Sequence, residues 1–149
     1  MVNVNMVGRT WDSAPTVVTA GKIAEFSRAT RATSPVHFDR DAAVAAGYKD
    51  VVAPLTFTIS VAQEPEFKFM GDPESEVDFQ HIVHGGEKFE YHRPVVAGDV
   101  LTSHYTVKSI VDKGKLYIIV GQAQIVDAEN KPVLTTTSTL IQMKPKEAK

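Results

Sequence analysis

The sequence contains no cysteine, which excludes disulfide bonds, thiolate nucleophiles and zinc sites with cysteine ligands. It has no apolar run near the roughly 18 residues that a transmembrane helix requires. It also lacks an excess of either charge, because the formal net charge is -2, and this excludes a strongly basic surface for nucleic acid or anionic lipid. The N-terminal segment MVNVNMVGRTWD has no basic stretch ahead of an apolar core, so we expect no signal peptide. These absences predict a cytoplasmic protein with no nucleic-acid or membrane partner.

The rest of the composition is that of a globular protein. Hydrophobic residues make up 43% of the 149 positions and charged residues 23%, which is ordinary for a soluble domain with a sizeable core. No segment repeats, and none is of low complexity. We therefore expect a single domain over residues 1–149, with a frayed tail over residues 144–149.

Helix signals are concentrated in the first half of the chain. Thr19 is a suitable N-cap for a helix over residues 20–30, whose apolar residues recur at helical spacing. Asp39 is a suitable N-cap for a short helix over residues 41–46, and Gly47 fits the left-handed position that ends a helix. We expect the first of these helices to cover the core with one apolar face.

A third helix is predicted over residues 55–69. Pro54 stands where the first turn of a helix tolerates proline, and the residues after it are apolar almost all round, as in a helix buried on most sides. The β-branched residues of this segment leave a strand as the alternative. The length of the segment and its proline start favour the helix.

After an acidic loop over residues 71–77, apolar residues recur at every second position. This period, together with short turns such as residues 112–115, predicts antiparallel strands. The predicted strands cover residues 87–92, 100–111, 116–127 and 133–143, and a further edge strand falls within residues 11–19. Helices followed by antiparallel strands predict an α+β domain in which one face of a curved sheet packs on a helix.

Of the five histidines, His37 is the strongest candidate for chemistry. It follows a turn fixed by Pro35 and precedes the apolar segment that begins after Pro54, whose first backbone amides could bind an oxyanion. His92 and His104 lie in strand patterns, so we expect them to face solvent or to pair across strands.

His81 and His84 are three residues apart, a spacing that suits two metal ligands. The sequence offers no obvious third ligand nearby, and zinc sites need three or four, so we predict no metal and no cofactor. His84 is followed by Gly85 and Gly86, whose backbone amides allow a ligand to approach closely. We therefore expect these three residues to contact a ligand.

Two stretches carry a family resemblance: SPVHFDRDAAVAAGYKDVVAPLTF (residues 34–57) and VHGGEKFEYHRPVVAGDVL (residues 83–101). They resemble the MaoC-like (R)-specific hydratases and dehydratases, in particular the FAS1-like or MaoC N-terminal branch that includes accessory subunits of (3R)-hydroxyacyl-ACP dehydratases. The resemblance extends over residues 6–143, and the part from Tyr91 to Asp99 is the most specific to the family. It implies a single hot-dog fold, in which an antiparallel sheet wraps around a long central helix, and a tendency to dimerise.

Active members of that family carry the motif Gly-Asp-x-Asn-Pro-x-His. When its histidine is placed on His37, the preceding motif positions fall on Pro35, Ser34, Ala32 and Arg31. In the family the aspartate and histidine share the proton transfers of dehydration, and each such group typically contributes about 10²–10⁴ in rate. The alanine methyl at position 32 transfers no proton, and Asp39 or Asp41 would replace the aspartate only if the loop folded back. The resemblance thus implies a catalytic histidine without its carboxylate.

Three functions follow from this resemblance. The first is a non-catalytic or weakly catalytic substrate-binding subunit of a (3R)-hydroxyacyl-ACP or hydroxyacyl-CoA dehydratase in fatty-acid metabolism, paired with a second hot-dog subunit that has an intact Asp–His motif. The second is a self-sufficient homodimeric (R)-enoyl-CoA hydratase or thioesterase that uses His37, and the third is a module that binds acyl thioesters without chemistry. The helix over residues 55–69 would line the acyl tunnel. The predicted thioester contacts are Ser34, Pro54, Leu55, Thr56, Phe57, His84, Gly85 and Gly86.

Overall fold

The structure is a computed structural model that describes residues 1–145. Most of the predicted frayed tail, residues 146–149, lies outside the described residues. The helices are α1 (Ala20–Ala29), α2 (Arg40–Ala45) and α3 (Ile59–Gly71). The strands are β1 (Thr10–Asp12), β2 (Thr16–Val17), β3 (Ile82–Tyr91), β4 (Val100–Asp112), β5 (Leu116–Val126) and β6 (Pro132–Met143).

The strands form one antiparallel sheet in the order β1-β4-β5-β6-β3, and β2 also pairs with β4. Side chains alternate between the two faces of the sheet, so every second residue is buried over most of β4, β5 and β6, as period-2 sequences require. In β4, for example, Leu101, Tyr105 and Val107 are buried. Helix α3 packs against β1, β4 and β5. The predicted α+β architecture, an antiparallel sheet around a long helix, is therefore confirmed.

The local signals in the first half give the observed helix ends to within one residue. The Thr19 hydroxyl accepts a hydrogen bond from the backbone N–H of Lys22, and α1 follows it. The Asp39 carboxylate accepts hydrogen bonds from the backbone N–H groups of Asp41 and Ala42 in the first turn of α2, at 2.8 and 3.2 Å. Gly47 has φ +95° and ends α2 in the left-handed region, as predicted for a residue without a Cβ.

The predicted start of the third helix is wrong, because α3 begins at Ile59 and not at residue 55. The carbonyl of Leu55 would accept the Ile59 N–H in a helix, but it accepts the hydroxyl of Tyr91 instead, at 2.6 Å. The Ile59 N–H bonds to the carbonyl of Thr56, so residues 55–58 form tight turns. A long-range hydrogen bond thus delays the helix by one turn.

The prediction that this helix is buried on most sides is also wrong. Only one face of α3 is buried, and Ser60, Phe67 and Lys68 are exposed on the other. The buried stripe, spaced at four residues as an amphipathic helix requires, consists of Val61, Ala62, Pro65, Glu66, Phe69 and Met70. It therefore contains one carboxyl group among apolar side chains.

Two strand predictions are corrected by the pairing of the backbone. β3 begins at Ile82, five residues before the predicted start, because it pairs with β6 through a bulge between His84 and Gly86. Consecutive glycines weaken a strand signal, which is why the pattern showed only the second half. The predicted edge strand within residues 11–19 is two strands, β1 and β2, interrupted at residues 13–15 and offset by one residue along β4. Pro15, in the interruption, has no N–H to offer the sheet.

Candidate functional site

A cavity of about 660 Å³ lies beside His37, where the segment before α3 meets the end of β3. Residues 51–53 run next to residues 95–97, joined by backbone hydrogen bonds from Ala53 N–H to the Val95 carbonyl (2.8 Å) and from Ala97 N–H to the Val51 carbonyl (3.0 Å). Most of the wall is apolar. The lining residues are Val36, His37, Tyr48, Val52, Ala53, Pro54, Leu55, Tyr91, His92, Arg93, Pro94 and Val95.

His37 is held in one tautomer at the wall of this cavity. It ends a short 3₁₀ turn, Pro35–His37, that Pro35 starts with its fixed φ. Nδ1 lies 2.7 Å from the carbonyl oxygen of Val52. A carbonyl can only accept, so Nδ1 carries the proton of the neutral ring and Nε2 has the free lone pair. The backbone therefore leaves Nε2 able to accept a proton.

No carboxylate supports His37 in residues 1–145: none lines the cavity and none bonds to the imidazole. Asp39 uses a carboxylate oxygen to cap α2. Asp41 is exposed in the first turn of that helix. Asp50 forms an ion pair with Arg40 at 3.2 Å. Neither of the two aspartates considered as substitutes, Asp39 and Asp41, contacts His37 in this structure.

Two of the three motif positions that differ from active family members, Arg31 and Ala32, lie at the end of α1. Arg31 has φ +57°, the left-handed conformation for which glycine is favoured. Its N–H bonds to the Arg28 carbonyl at 3.1 Å, and the Ala32 N–H bonds to the Ser27 carbonyl at 2.8 Å. This pair of bonds is a Schellman helix end. The backbone geometry of a glycine position is thus kept while the carboxylate position is occupied by a methyl group.

The predicted site residues are only partly brought together. His37, Pro54 and Leu55 line the cavity, whereas Ser34, Thr56, Phe57, His84, Gly85 and Gly86 do not. Phe57 is buried and packs edge-on against Phe26, with ring centroids 5.6 Å apart. Gly85 lies close to β6, since a Cβ there would be 3.0 Å from Cδ1 of Ile141.

Four polar cavity residues were missed by reasoning from the sequence: Tyr48, Tyr91, His92 and Arg93. Three of them belong to the Tyr91–Pro94 segment that carries the family resemblance, so the signal was present but was not assigned to a wall of the site.

The Tyr91 hydroxyl donates a hydrogen bond to the carbonyl oxygen of Leu55 and also contacts the Thr58 hydroxyl at 3.1 Å. Burial raises the pKa of Tyr91, which keeps its hydroxyl protonated as a donor.

The rest of the family-specific segment forms a clamp on one side of the cavity. Arg93 makes two hydrogen bonds to the Asp99 carboxylate, at 2.9 and 3.1 Å, and contacts Asp127 at 3.4 Å. Asp99 also accepts the Val96 N–H at 3.0 Å, and Gly98 between them has φ +96°. These contacts fix the connection between β3 and β4. The two carboxylates also balance the positive charge of Arg93 beside the cavity.

The other histidines are paired on the surface. His104 Nδ1 lies 2.7 Å from the Asp12 carboxylate on the adjacent strand, which confirms the predicted cross-strand pairing. His81 and His84 contact Asp78 and Glu87 respectively.

In the part of the chain that the structure describes, no three of the side chains that commonly bind metals form a cluster. Its helices include none with the length and apolarity needed to cross a bilayer.

The fold, an antiparallel sheet wrapped on a helix, is that of the MaoC-like class of hot-dog dehydratases. A family model described as "FAS1-like, dehydratase domain region" matches residues 5–136. The chain is 42% identical over 141 residues to UPF0336 protein Lxx02810 of Leifsonia xyli, covering 94% of this chain and 95% of that protein. It belongs to the family of FAS1-like dehydratase domains.

Two solved structures show the same fold. One is the C-terminally truncated HadBC (3R-hydroxyacyl-ACP dehydratase) complex from Mycobacterium tuberculosis, with a TM-score of 0.82 and 28% identity over 91% of this chain and 96% of that chain. The other is a MaoC-like dehydratase with a TM-score of 0.82 and 30% identity, covering 95% of this chain and 43% of that chain. Both likenesses confirm the expected hot-dog fold.

Proposed function

We propose that this chain is the substrate-binding, non-catalytic subunit of a (3R)-hydroxyacyl thioester dehydratase that acts in fatty-acid metabolism. The observation that carries the proposal is the cavity at His37, which has an oriented imidazole and no carboxylate among the described residues. Removing water from a 3-hydroxyacyl thioester needs a base for the α-proton and an acid for the leaving hydroxyl. This chain has an imidazole at the cavity but no carboxylate beside it, so both groups would come from the Asp–His motif of another chain.

The wall of the cavity suits an acyl chain. Its apolar residues, Val36, Val52, Ala53, Pro54, Leu55, Pro94 and Val95, offer an environment that favours methylene groups by about 0.8 kcal/mol for each one removed from water. A volume near 660 Å³ lies within the range of ligand sites in proteins. We therefore assign the acyl end of an acyl-CoA or acyl-ACP substrate to this cavity, with Pro54 and Leu55 in contact with it.

The second subunit would dock at the edge of the sheet. In the sheet formed by residues 1–145, β3 is an edge strand whose outer backbone groups have no strand partner, and such an edge is a template for another chain. Large apolar side chains near this edge are exposed, namely Val83 (57%), Phe79 (55%) and Leu55 (74%). The cavity lies at the end of β3, so a chain paired there would reach it. The HadBC dehydratase, which is a complex, supports this assembly.

The test is hydration of crotonyl-CoA by this chain alone and by its complex with a hot-dog chain that carries the full Gly-Asp-x-Asn-Pro-x-His motif. We expect no measurable turnover from the isolated chain and clear turnover from the complex. In the complex, His37→Ala should change kcat by less than about tenfold, while replacing the motif aspartate of the other chain should lower it by about 10²–10⁴. His104→Ala, which removes a surface histidine paired with Asp12, is the matched control.

Strong turnover by the isolated chain that is lost in His37→Ala would overturn this proposal. One observation favours that second candidate, a self-sufficient homodimeric hydratase or thioesterase. His92 lines the same cavity as His37, so two imidazoles are available for proton transfer. Turnover by the isolated chain that requires both histidines would support it. Stoichiometric binding of acyl-CoA without turnover in any complex would instead indicate a binding module.

A further inference from the structure

A second polar site lies between α3 and the sheet. Glu66, on the buried face of α3, is only 2% exposed. Its carboxyl group accepts a hydrogen bond from the Ser138 hydroxyl of β6. The same narrow space is lined by Glu87 of β3 and Tyr105 of β4, together with Ala62, Gln63 and Thr136. None of these residues lines the cavity at His37.

The strand register brings the polar groups together. Glu87, Ser138 and Gly121 lie side by side on β3, β6 and β5. Gly121 provides the space for the Tyr105 side chain, because a Cβ at position 121 would overlap its phenol ring and hydroxyl. With glycine there, the Tyr105 side chain can lie across the sheet and line the space beside Glu66. The sequence of β5 therefore contains the residue that permits this cluster.

The cluster has two carboxyl groups and no buried cation. Its titratable groups are Glu66 from α3, Glu87 and His84 from β3, and Tyr105 from β4, while β5 and β6 contribute Gly121, Ser138 and Thr136. His84 Nε2 contacts Oε2 of Glu87 at 3.0 Å from the exposed side. Glu87 Oε1 and the Tyr105 hydroxyl are buried and have no hydrogen-bond partner within residues 1–145, and the space between them is too narrow for water.

Two ionised carboxylates in such a dry space would be strongly unfavourable, because burial and like charge both oppose ionisation. We propose that Glu66 is a buried proton-binding site: its carboxyl group stays protonated in the folded protein at neutral pH, beside the carboxyl group of Glu87 that His84 contacts, and ionisation of Glu66 weakens the attachment of α3 to the sheet. The proton on Glu66 removes one of the two negative charges and adds a donor to a space with an unpaired acceptor, Glu87 Oε1.

The pH dependence follows from the direction of the shift. Burial, and to a smaller extent the charge of Glu87, raises the pKa of Glu66, and the Ser138 hydrogen bond opposes this. In the unfolded chain a glutamate titrates near 4.3. Because the pKa of Glu66 is higher in the folded state than in the unfolded state, the folded state binds one more proton than the unfolded state at pH values between the two. The stabilisation by this group is complete below pH 4.3 and is lost as pH rises through the folded pKa.

The experiment is urea unfolding of the full chain between pH 5.5 and 9, comparing wild type with Glu66→Gln. The glutamine keeps the shape of the protonated acid and does not titrate. We expect the ratio of the folding equilibrium constants, variant over wild type, to grow with pH by up to about tenfold per unit until the folded pKa is passed. Glu64→Gln is the matched control, since Glu64 lies on the same helix in a partly exposed ion pair with Lys68, and its ratio should stay constant over this range.

Infrared spectroscopy of the wild type gives a readout that does not depend on the stability of any variant. At pH 7 in heavy water the wild type should show the carbonyl band of a protonated carboxyl group. Glu87→Gln removes the neighbouring charge, so in that variant the band should disappear at a lower pH than in wild type. A wild-type spectrum without the band at pH 7, or a Glu66→Gln ratio that does not change with pH, would overturn the proposal.

Discussion

Arg31 occupies the left-handed position that ends α1, with φ +57°. An L-residue with a Cβ is about 1–2 kcal/mol less stable there than in the right-handed helical region. The motif that this chain resembles has glycine at this position, which suits the left-handed conformation that Arg31 adopts here. At position 32, where that motif has aspartate, this chain has the methyl group of alanine.

Replacing Arg31 by glycine should therefore stabilise the protein by about 0.5–1 kcal/mol, which is the relief of the left-handed strain minus the greater freedom of glycine in the unfolded chain. Urea unfolding followed by the fluorescence of Trp11 measures it. Arg28→Gly is the control, because residue 28 lies in the last turn of α1, where glycine should cost about 1 kcal/mol. If both substitutions changed the free energy of unfolding in the same direction, this account of the helix end would be contradicted.

At the scale of elements, the sequence predicted what local interactions determine. The caps Thr19 and Asp39 and the left-handed Gly47 mark helix ends with side chains or backbone within four residues, and all three are confirmed. The start of α3 was not predictable in this way, because the Tyr91 hydroxyl that donates a hydrogen bond to the Leu55 carbonyl lies 36 positions away in the sequence. Glu66 was missed for a similar reason: only the packed sheet distinguishes it from Glu64, which lies two residues earlier and is partly exposed.

The clamp between β3 and β4 depends on the planar guanidinium of Arg93. Lysine keeps the charge but makes a single contact where arginine makes two parallel hydrogen bonds to Asp99. Because the pair is partly exposed, we expect Arg93→Lys to lower the free energy of unfolding by about 1–2 kcal/mol. Arg40→Lys, at an exposed single ion pair with Asp50, should change it by less than about 0.5 kcal/mol. Chemical denaturation of both variants measures the difference. Equal losses of unfolding free energy would contradict the stabilising role of the clamp.

At the scale of the whole molecule, the site is assembled from segments that are distant in sequence. The cavity joins residues 36–37 to residues 91–95 through the paired segments 51–53 and 95–97. A sequence pattern could identify His37 and the segment from Tyr91 to Pro94 separately, but it could not show that they share a wall. Nor could it show that Phe57, placed in the same predicted site, packs on α1 instead. The fold class follows from periodicity, whereas the site follows from tertiary contacts.

If a second hot-dog chain pairs with β3, a charge at that edge should prevent assembly. Val83→Lys places an ammonium group at an exposed apolar position of the edge strand, and burying it unpaired would be costly, so we expect at least a tenfold loss of affinity, about 1.4 kcal/mol. Val111→Lys makes the same change at a 41% exposed position of β4, three strands away from that edge, and should leave the affinity unchanged. Sedimentation velocity of the chain with its motif-bearing partner measures both. If only Val111→Lys lowers the affinity for the partner, the contact lies on the open face of the sheet. If neither variant lowers the affinity, the β3 edge is not part of the interface.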